Sequence, residues 1–254
     1  MDNLLDGKRL NKFLGDSGYC SRRAADKLIE QGRVTIDGRA GVLGDRVQPG
    51  MDVRVDGKSL TGESEKVYLA LNKPVGIVST TDPREPLNVV DYLNYPTRVF
   101  PIGRLDKMSS GLLLLTSDGE IVNRILRAAG GHEKEYLVAV DKALTPEFLR
   151  KMAGGVEILD RVTLPCQIDA LTQNSFRLVL VQGLNRQIRR MCEALGYRVR
   201  SLKRVRIMNI ALGDLPPGGW RLLTRDEVET ILSMTSPEAQ ARCAGDACED
   251  EDSQ

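Results

Sequence analysis

Four consecutive leucines, Leu112 to Leu115, follow the turn-forming Ser109-Ser110-Gly111, a run too apolar to lie anywhere but inside, as buried strand or buried helix. The rest of the chain must build a core around it. Just upstream, Asp106 then sits at the mouth of that core. A carboxylate in such a place is either paired or put to use, because an unpaired charge taken out of water is strongly unfavourable. Arg104 and Lys107 flank it and supply local positive charge, a setting that suits a nucleophile or a general base. Local hydrogen bonding within a turn is the competing use of such an aspartate.

At 254 residues the chain has room for one sizeable core and a smaller second domain. No stretch reaches the roughly 20 apolar residues of a membrane span, and the N-terminus lacks a charged-then-apolar signal pattern, so a cytoplasmic protein without a membrane partner is expected. Cys20, Cys166, Cys192, Cys243 and Cys248 are irregularly spaced with no C-x-x-C pair, and His132 is the single histidine. Neither a zinc site nor a disulfide framework fits that inventory, and no metal or cofactor is expected. A Ser-His or Cys-His pair would have to run through His132, whose HEKEY setting shows no partner pattern.

The chain holds 36 Lys and Arg against 35 Asp and Glu. Residues 226–254 contain nine of the acids and only Arg242, so the remainder carries 35 bases against 26 acids, an excess of nine. A basic body with an acidic end is compatible with a phosphate-rich partner.

In the N-terminal module, Leu10, Phe13 and Leu14 recur at helical spacing, Gly15 to Gly18 interrupt them, and Ser21 is placed to cap a second helix that stops at Gly32. Val34 and Ile36 alternate into the Asp37-Gly38 turn. Arg22 and Arg23 stand in the first turn of that second helix, where the helix dipole disfavours cations and favours an anion, so they read as a phosphate site or as side chains reaching into water. Residues Asp56 to Lys66 are polar and aperiodic and read as linker. Thr81 to Pro96, with three prolines, reads as a loop.

Beyond the leucines, Ser117 or Asp118 is placed to cap a helix closed by Gly130-Gly131, Glu135 to Val140 reads as a strand, and Thr145-Pro146-Glu147 opens a helix. Val156 to Gln173 reads as paired strands. The strand Phe176 to Gln182 turns through Gly183-Leu184-Asn185 into a helix with Ile188, Met191, Cys192 and Leu195 on its apolar face and Arg186, Arg190 and Glu193 opposite. From Arg186 to Arg206 there are eight bases and one acid, a density that points to a polyanion. Thr224 and Glu227 form a capping box over a last helix, and the acidic end beyond Met234 reads as disordered.

Three separated stretches carry a resemblance. NKPVG, GRLDKMSSGLLLLTSDG and VQGLNRQIRRMC resemble, in that order, the motifs of the RsuA/RluA-type pseudouridine synthases, and RLNKFLGDSGYCSRRAADKLIEQGRVTIDGR resembles the S4 RNA-binding domain. The resemblance implies an α+β protein: a small N-terminal α/β-type S4-like module at 8–60 and a mixed, mostly antiparallel-sheet catalytic domain at 67–234. A leader at 1–7, a linker at 61–66 and an acidic tail at 235–254 complete that division.

It also implies that Asp106 is catalytic, that Arg189 pairs with it through a charge-assisted contact open to bidentate geometry, and that Tyr136 lies under the target base. Arg104, Leu105, Lys107, Arg186, Gln187, Ile188 and Arg190 would contact the RNA around the site, and Lys12, Arg22, Arg23 and Lys27 its phosphates. The partner implied is ribosomal RNA of the large subunit, with transfer RNA as a second candidate, acted on by a monomer. Three other readings stand beside it, of which a dimerising structural protein has the least behind it, since no exposed heptad or large apolar stripe stands out. A non-catalytic RNA-binding or ribosome assembly factor needs only the basic surfaces, and a glycosidase needs a second carboxylate, for which Glu133, Glu135 and Asp118 are the candidates.

Overall fold

The structure, a computed structural model, describes residues 7–60, 65–126 and 131–236. They form two compact units, one comprising Met1–Val67, Tyr95–Val99 and Ser117–Gly119, the other Tyr68–Asn94, Phe100–Thr116 and Glu120–Gln254.

In the smaller unit the helices Leu10–Asp16 and Arg22–Glu30 lie beside a four-stranded antiparallel sheet ordered Arg39–Ala40, Val34–Ile36, Val53–Val55, Lys58–Ser59. Ser21 Oγ accepts from the Ala24 amide at 3.1 Å, the capping bond its sequence position predicts. Leu10, Leu14, Ala25 and Ile29 pack on Val34, Ile36, Val53 and Val55 as one core. The supposed linker is partly sheet: Asp56 and Gly57, both at positive φ, turn Val53–Val55 back onto Lys58–Ser59. An Asp-Gly pair is the usual sequence for that tight hairpin turn. Residues 61–64, also assigned to the linker, lie outside the described residues.

The larger unit is built on a nine-stranded sheet whose main order is Gln167–Thr172, Ser175–Leu180, Lys134–Val140, Val199–Ile207, Ser110–Thr116, Tyr68–Lys73, Trp220–Leu222. Ile210–Ala211 and Phe100–Ile102 add at the sides. Every pairing is antiparallel except one, the parallel contact of Val199–Ile207 with Ser110–Thr116, so the mixed, mostly antiparallel sheet is as expected. Leu112 to Leu115 lie within Ser110–Thr116, each at most 1% exposed, because this strand is covered on both faces and both sets of alternating side chains are buried. Leu112 and Leu114 join Ile121, Ile125 and Ile231 in one cluster. On the other flank, Phe148 meets Phe176 edge-on at 5.6 Å and Tyr197 at 4.1 Å.

Several local readings are met: Thr145 Oγ1 accepts from the Phe148 amide with Pro146 in the first turn, and the Thr224/Glu227 capping box is complete. Three others change. The 81–96 loop contains a helix, Val89–Leu93, because Asn88 Oδ1 accepts from the amides of Val90 and Asp91. The acidic end does not begin at 235: Thr235 is fully buried and its hydroxyl donates to the Ile231 carbonyl at 2.7 Å, so it caps the last helix, Arg225–Met234, while 237–254 lie outside the described residues. Of the leader, Gly7 accepts from Arg46 at 3.0 Å, and 1–6 lie outside the described residues. The Gly130 of the expected helix stop also falls outside them.

Candidate active site

The loop that bears Asp106 is held from three sides. Ser79 Oγ accepts from the Leu105 amide at 3.2 Å and donates to the Leu105 carbonyl at 3.0 Å. The Gly76 amide donates to the Lys107 carbonyl at 2.8 Å, and Arg189 Nη2 donates to the Met108 carbonyl at 2.9 Å and Ser109 Oγ at 3.2 Å. Gly76 is offered by the 74–77 turn, which Lys73 closes by donating from Nζ to the carbonyls of Pro74 and Ile77, each at 2.8 Å. A lysine in a KPxG turn would be read as surface. Here it is fully buried, and burial pushes its pKa down to about 8, with Asp106 opposing the shift and Arg204 adding to it.

The opposite wall is the turn and helix after the Ser175–Leu180 strand. Gln187, nearly fully buried, accepts from the Leu184 amide at 3.0 Å and fastens the turn to the helix Gln187–Ala194. Arg189 is carried inward on that helix. Burial, with Arg186 beside it, lowers the Arg189 guanidinium from its ordinary value, and Asp106 opposes.

Between these walls lies a cavity open to solvent, lined by Asp106, Ser109, Tyr136, Arg186 and Arg189 among others. Asp106 Oδ2 is 3.7 Å from Arg186 Nη1 and 3.9 Å from Arg189 Nε, and the carboxylate is about one-third exposed. These are ion pairs and not hydrogen bonds, so the bidentate contact is absent: Arg189 spends Nη2 on the Met108 carbonyl and Ser109, and its buried Nε has no hydrogen-bond partner among the described residues. Arg104, Leu105, Gln187 and Ile188 line the cavity as well.

Lys107 and Arg190 do not. Lys107 is exposed outside the lining, and Arg190 turns back to the carbonyl of Asn185 at 3.1 Å and its side-chain oxygen at 3.3 Å. Arg186 precedes the helix instead of lying on its face, in the left-handed region at φ 51°. Lys12, Arg22, Arg23 and Lys27 lie on the helices of the smaller unit, the last three exposed and Lys12 half-buried. Ser109, Gln182, Leu184 and Leu202 line the cavity without having been singled out, since their polarity and spacing distinguish them in no way.

Asp106 is the sole carboxylate in the lining. Glu135 pairs with Arg177 and Arg206, Glu133 with Arg206, and Asp118, in the other unit, with Lys66. Among the described residues, a two-carboxylate hydrolysis finds no second partner in this lining.

Residues 67–194 match the family model described as RNA pseudouridylate synthase, and residues 8–53 match the S4 domain. The chain belongs to the RNA pseudouridylate synthase family. A relative from Escherichia coli O6:H1, the "Dual-specificity RNA pseudouridine synthase RluF", is 54% identical over 243 residues, covering 92% of this chain and 84% of the relative. The "Ribosomal large subunit pseudouridine synthase B" of Bacillus subtilis is 36% identical, covering 89% and 96%. A crystal structure of a pseudouridylate synthase superposes with a TM-score of 0.65 at 30% identity, covering 89% of this chain and 100% of that one. This synthase is therefore an isomerase acting on RNA, with an S4 domain ahead of its catalytic domain. No helix among its described residues is long and apolar enough to cross a membrane.

Proposed function

We propose that the synthase converts a uridine of large-subunit ribosomal RNA to pseudouridine, with Asp106 as the reacting carboxylate. One arrangement carries the reading: a single carboxylate, within 4 Å of two guanidiniums, in a cavity that Tyr136 also lines. The rearrangement breaks the bond from uracil N1 to the ribose anomeric carbon and joins that carbon to C5; C5 gives up a proton and N1 gains one. Atoms and electrons balance within the substrate, so the step calls for no cofactor.

Asp106 acts as an anion on any of three routes: attack on the anomeric carbon, attack on C6 of the ring, or removal of a ribose proton. Arg186 and Arg189 supply the opposing charge, and Arg189 also holds the loop's backbone, so charge and aim come from one side chain. The uridine leaves its stack to enter, at a cost of a few kcal/mol that the aromatic face of Tyr136 and the apolar Leu180 and Leu202 offset. The S4 unit holds the RNA body through phosphates at Lys12, Arg22, Arg23 and Lys27. With dual-specificity relatives, a transfer RNA is the candidate second substrate, and both substrates place the monomer in the cytoplasm.

Pseudouridine mapping of ribosomal and transfer RNA from cells lacking the chain tests the substrate. Loss of one site in large-subunit ribosomal RNA, restored by the wild-type chain and not by Asp106→Asn, is expected. An unchanged map would refute the substrate, and restoration by Asp106→Asn would refute the role of Asp106.

A further inference from the structure

The walls of the site belong to two different blocks of the sheet. Asp106 and Ser109 lead into Ser110–Thr116, which pairs antiparallel with Tyr68–Lys73. Tyr136, Leu180 and Leu202 stand on Lys134–Val140, Ser175–Leu180 and Val199–Ile207, an antiparallel block that continues into the helix of Arg189. Among the described residues the two blocks pair through a parallel ladder of two residue pairs, Lys203 with Ser110 and Arg204 with Gly111. Parallel pairing is slightly the weaker kind per residue, and this one is short. It lies just after the loop of Asp106.

Arg204 reinforces that seam. Its Nε donates across it to the Leu112 carbonyl at 2.8 Å, from a side chain in a residue only 4% exposed. Gly111, at φ 100°, permits the approach: a Cβ there would fall inside contact distance of the Arg204 backbone oxygen and nitrogen. Across the strands, Lys73, Gly111, Arg204 and Tyr136 form one line of register neighbours. Arg204 is thus next to the site's aromatic residue on one side and to the strand of its carboxylate loop on the other. Burying a guanidinium near the buried Lys73 and the half-buried Lys134, whose ammonium groups it disfavours, is a poor way merely to fill space.

We propose that Arg204 is a positioning residue for the isomerisation, a clasp between the two sheet blocks that sets the carboxylate loop in register with Arg189 and Tyr136. This rests on the proposed reading, in which Asp106, ion-paired with Arg189, is the reacting carboxylate. A guanidinium suits the task because its planar fork donates in a fixed direction, which neither an apolar side chain nor a freely rotating ammonium reproduces.

The test is single-turnover pseudouridine formation on saturating RNA, with RNA affinity measured by filter binding, for wild type, Arg204→Met and Arg204→Lys, each scaled to its RNA-binding-competent fraction. A misplacement of about 1 Å is enough for a ~10²-fold loss of rate. Arg204→Met is expected to lose about that much while its Kd stays within about threefold, and Arg204→Lys, which keeps a charge and a donor, to recover part of it. An unchanged rate, rate and affinity falling in proportion, or a Lys variant no faster than the Met variant overturns the clasp. If Arg204→Met does not fold, the Lys variant decides: at least about tenfold slower at unchanged Kd supports the clasp, and anything faster overturns it. A wild-type chain that forms no pseudouridine, or an active Asp106→Asn, would instead sink the underlying reading.

Discussion

Two of this protein's helices, Arg22–Glu30 and Gln187–Ala194, carry arginines at or beside their first turn and use them in opposite ways. At Arg22–Glu30 the cap is a serine with a clean side-chain bond, and Arg22 and Arg23 stand exposed on the first turn with their guanidiniums in water. At Gln187–Ala194 the cap position is Arg186, held left-handed without any capping side-chain bond, and Arg189 is carried into the interior. The first helix is locally relaxed and electrostatically open, as the proposed phosphate contacts require. The second is locally strained and partly desolvated, and its arginines converge on one carboxylate. Adhesion tolerates mobile charge; chemistry needs aimed charge.

The contrast breaks first at the carboxylate. Asp106→Asn keeps size and polarity and removes the charge that Arg186 and Arg189 face, so single-turnover pseudouridine formation is expected to fall by ~10⁴-fold or more while RNA affinity changes little. A residual rate within tenfold of wild type would show that the two guanidiniums converge on a bystander. Next comes Arg189→Lys. One ammonium cannot serve both the Met108 carbonyl with Ser109 and the face of Asp106, so kcat should fall by ~10²-fold with KM for RNA nearly unmoved. An equal loss in both constants would make Arg189 a binding residue like those of the first helix.

The reverse pattern is expected of Arg22→Glu combined with Arg23→Glu. Each phosphate contact contributes about 0.7–0.9 to the slope of log affinity against log salt, so the double variant should bind more weakly with a slope shallower by about 1.5. Its turnover on saturating RNA should match wild type. A slope that does not move would mean that these arginines sit in water in the complex too.

Which of these features could be read from residues alone follows from how far each reaches along the chain. The Ser21 cap, the Thr145-Pro146 start and the Thr224/Glu227 box are contained within four residues, and composition alone buries Leu112 to Leu115. The joint placement of Asp106, Tyr136 and Arg189 came from resemblance, since no spacing rule brings three such distant positions into one cavity. Lys73 and Arg204 were invisible as buried cations because their burial depends on strand order, in particular on a parallel ladder that no local pattern announces. A left-handed arginine leaves no mark in sequence, so helical spacing alone puts Arg186 on the helix face. The Asp56-Gly57 hairpin, by contrast, was legible and was obscured by the polar composition around it.

The smallest expected effects sharpen the comparison most, because their signs differ at equivalent positions. Ser21→Ala removes the bond to the Ala24 amide and should destabilise the smaller unit by about 1 kcal/mol. At the other cap position, Arg186→Gly relieves a left-handed φ that costs an L-residue about 1–2 kcal/mol, and the extra freedom of glycine in the unfolded chain takes back roughly half. A net gain of about 0.5–1 kcal/mol, or ~1–4 °C in Tm, is expected from differential scanning calorimetry. The same variant loses one of the two guanidiniums facing Asp106, so it should be the more stable and the slower enzyme. A variant that melted lower than wild type would show that the side chain of Arg186, through the field of Asp106, stabilises the folded state by more than its backbone strain withdraws, and the strain would then be no evidence of a site shaped for reaction at the expense of stability.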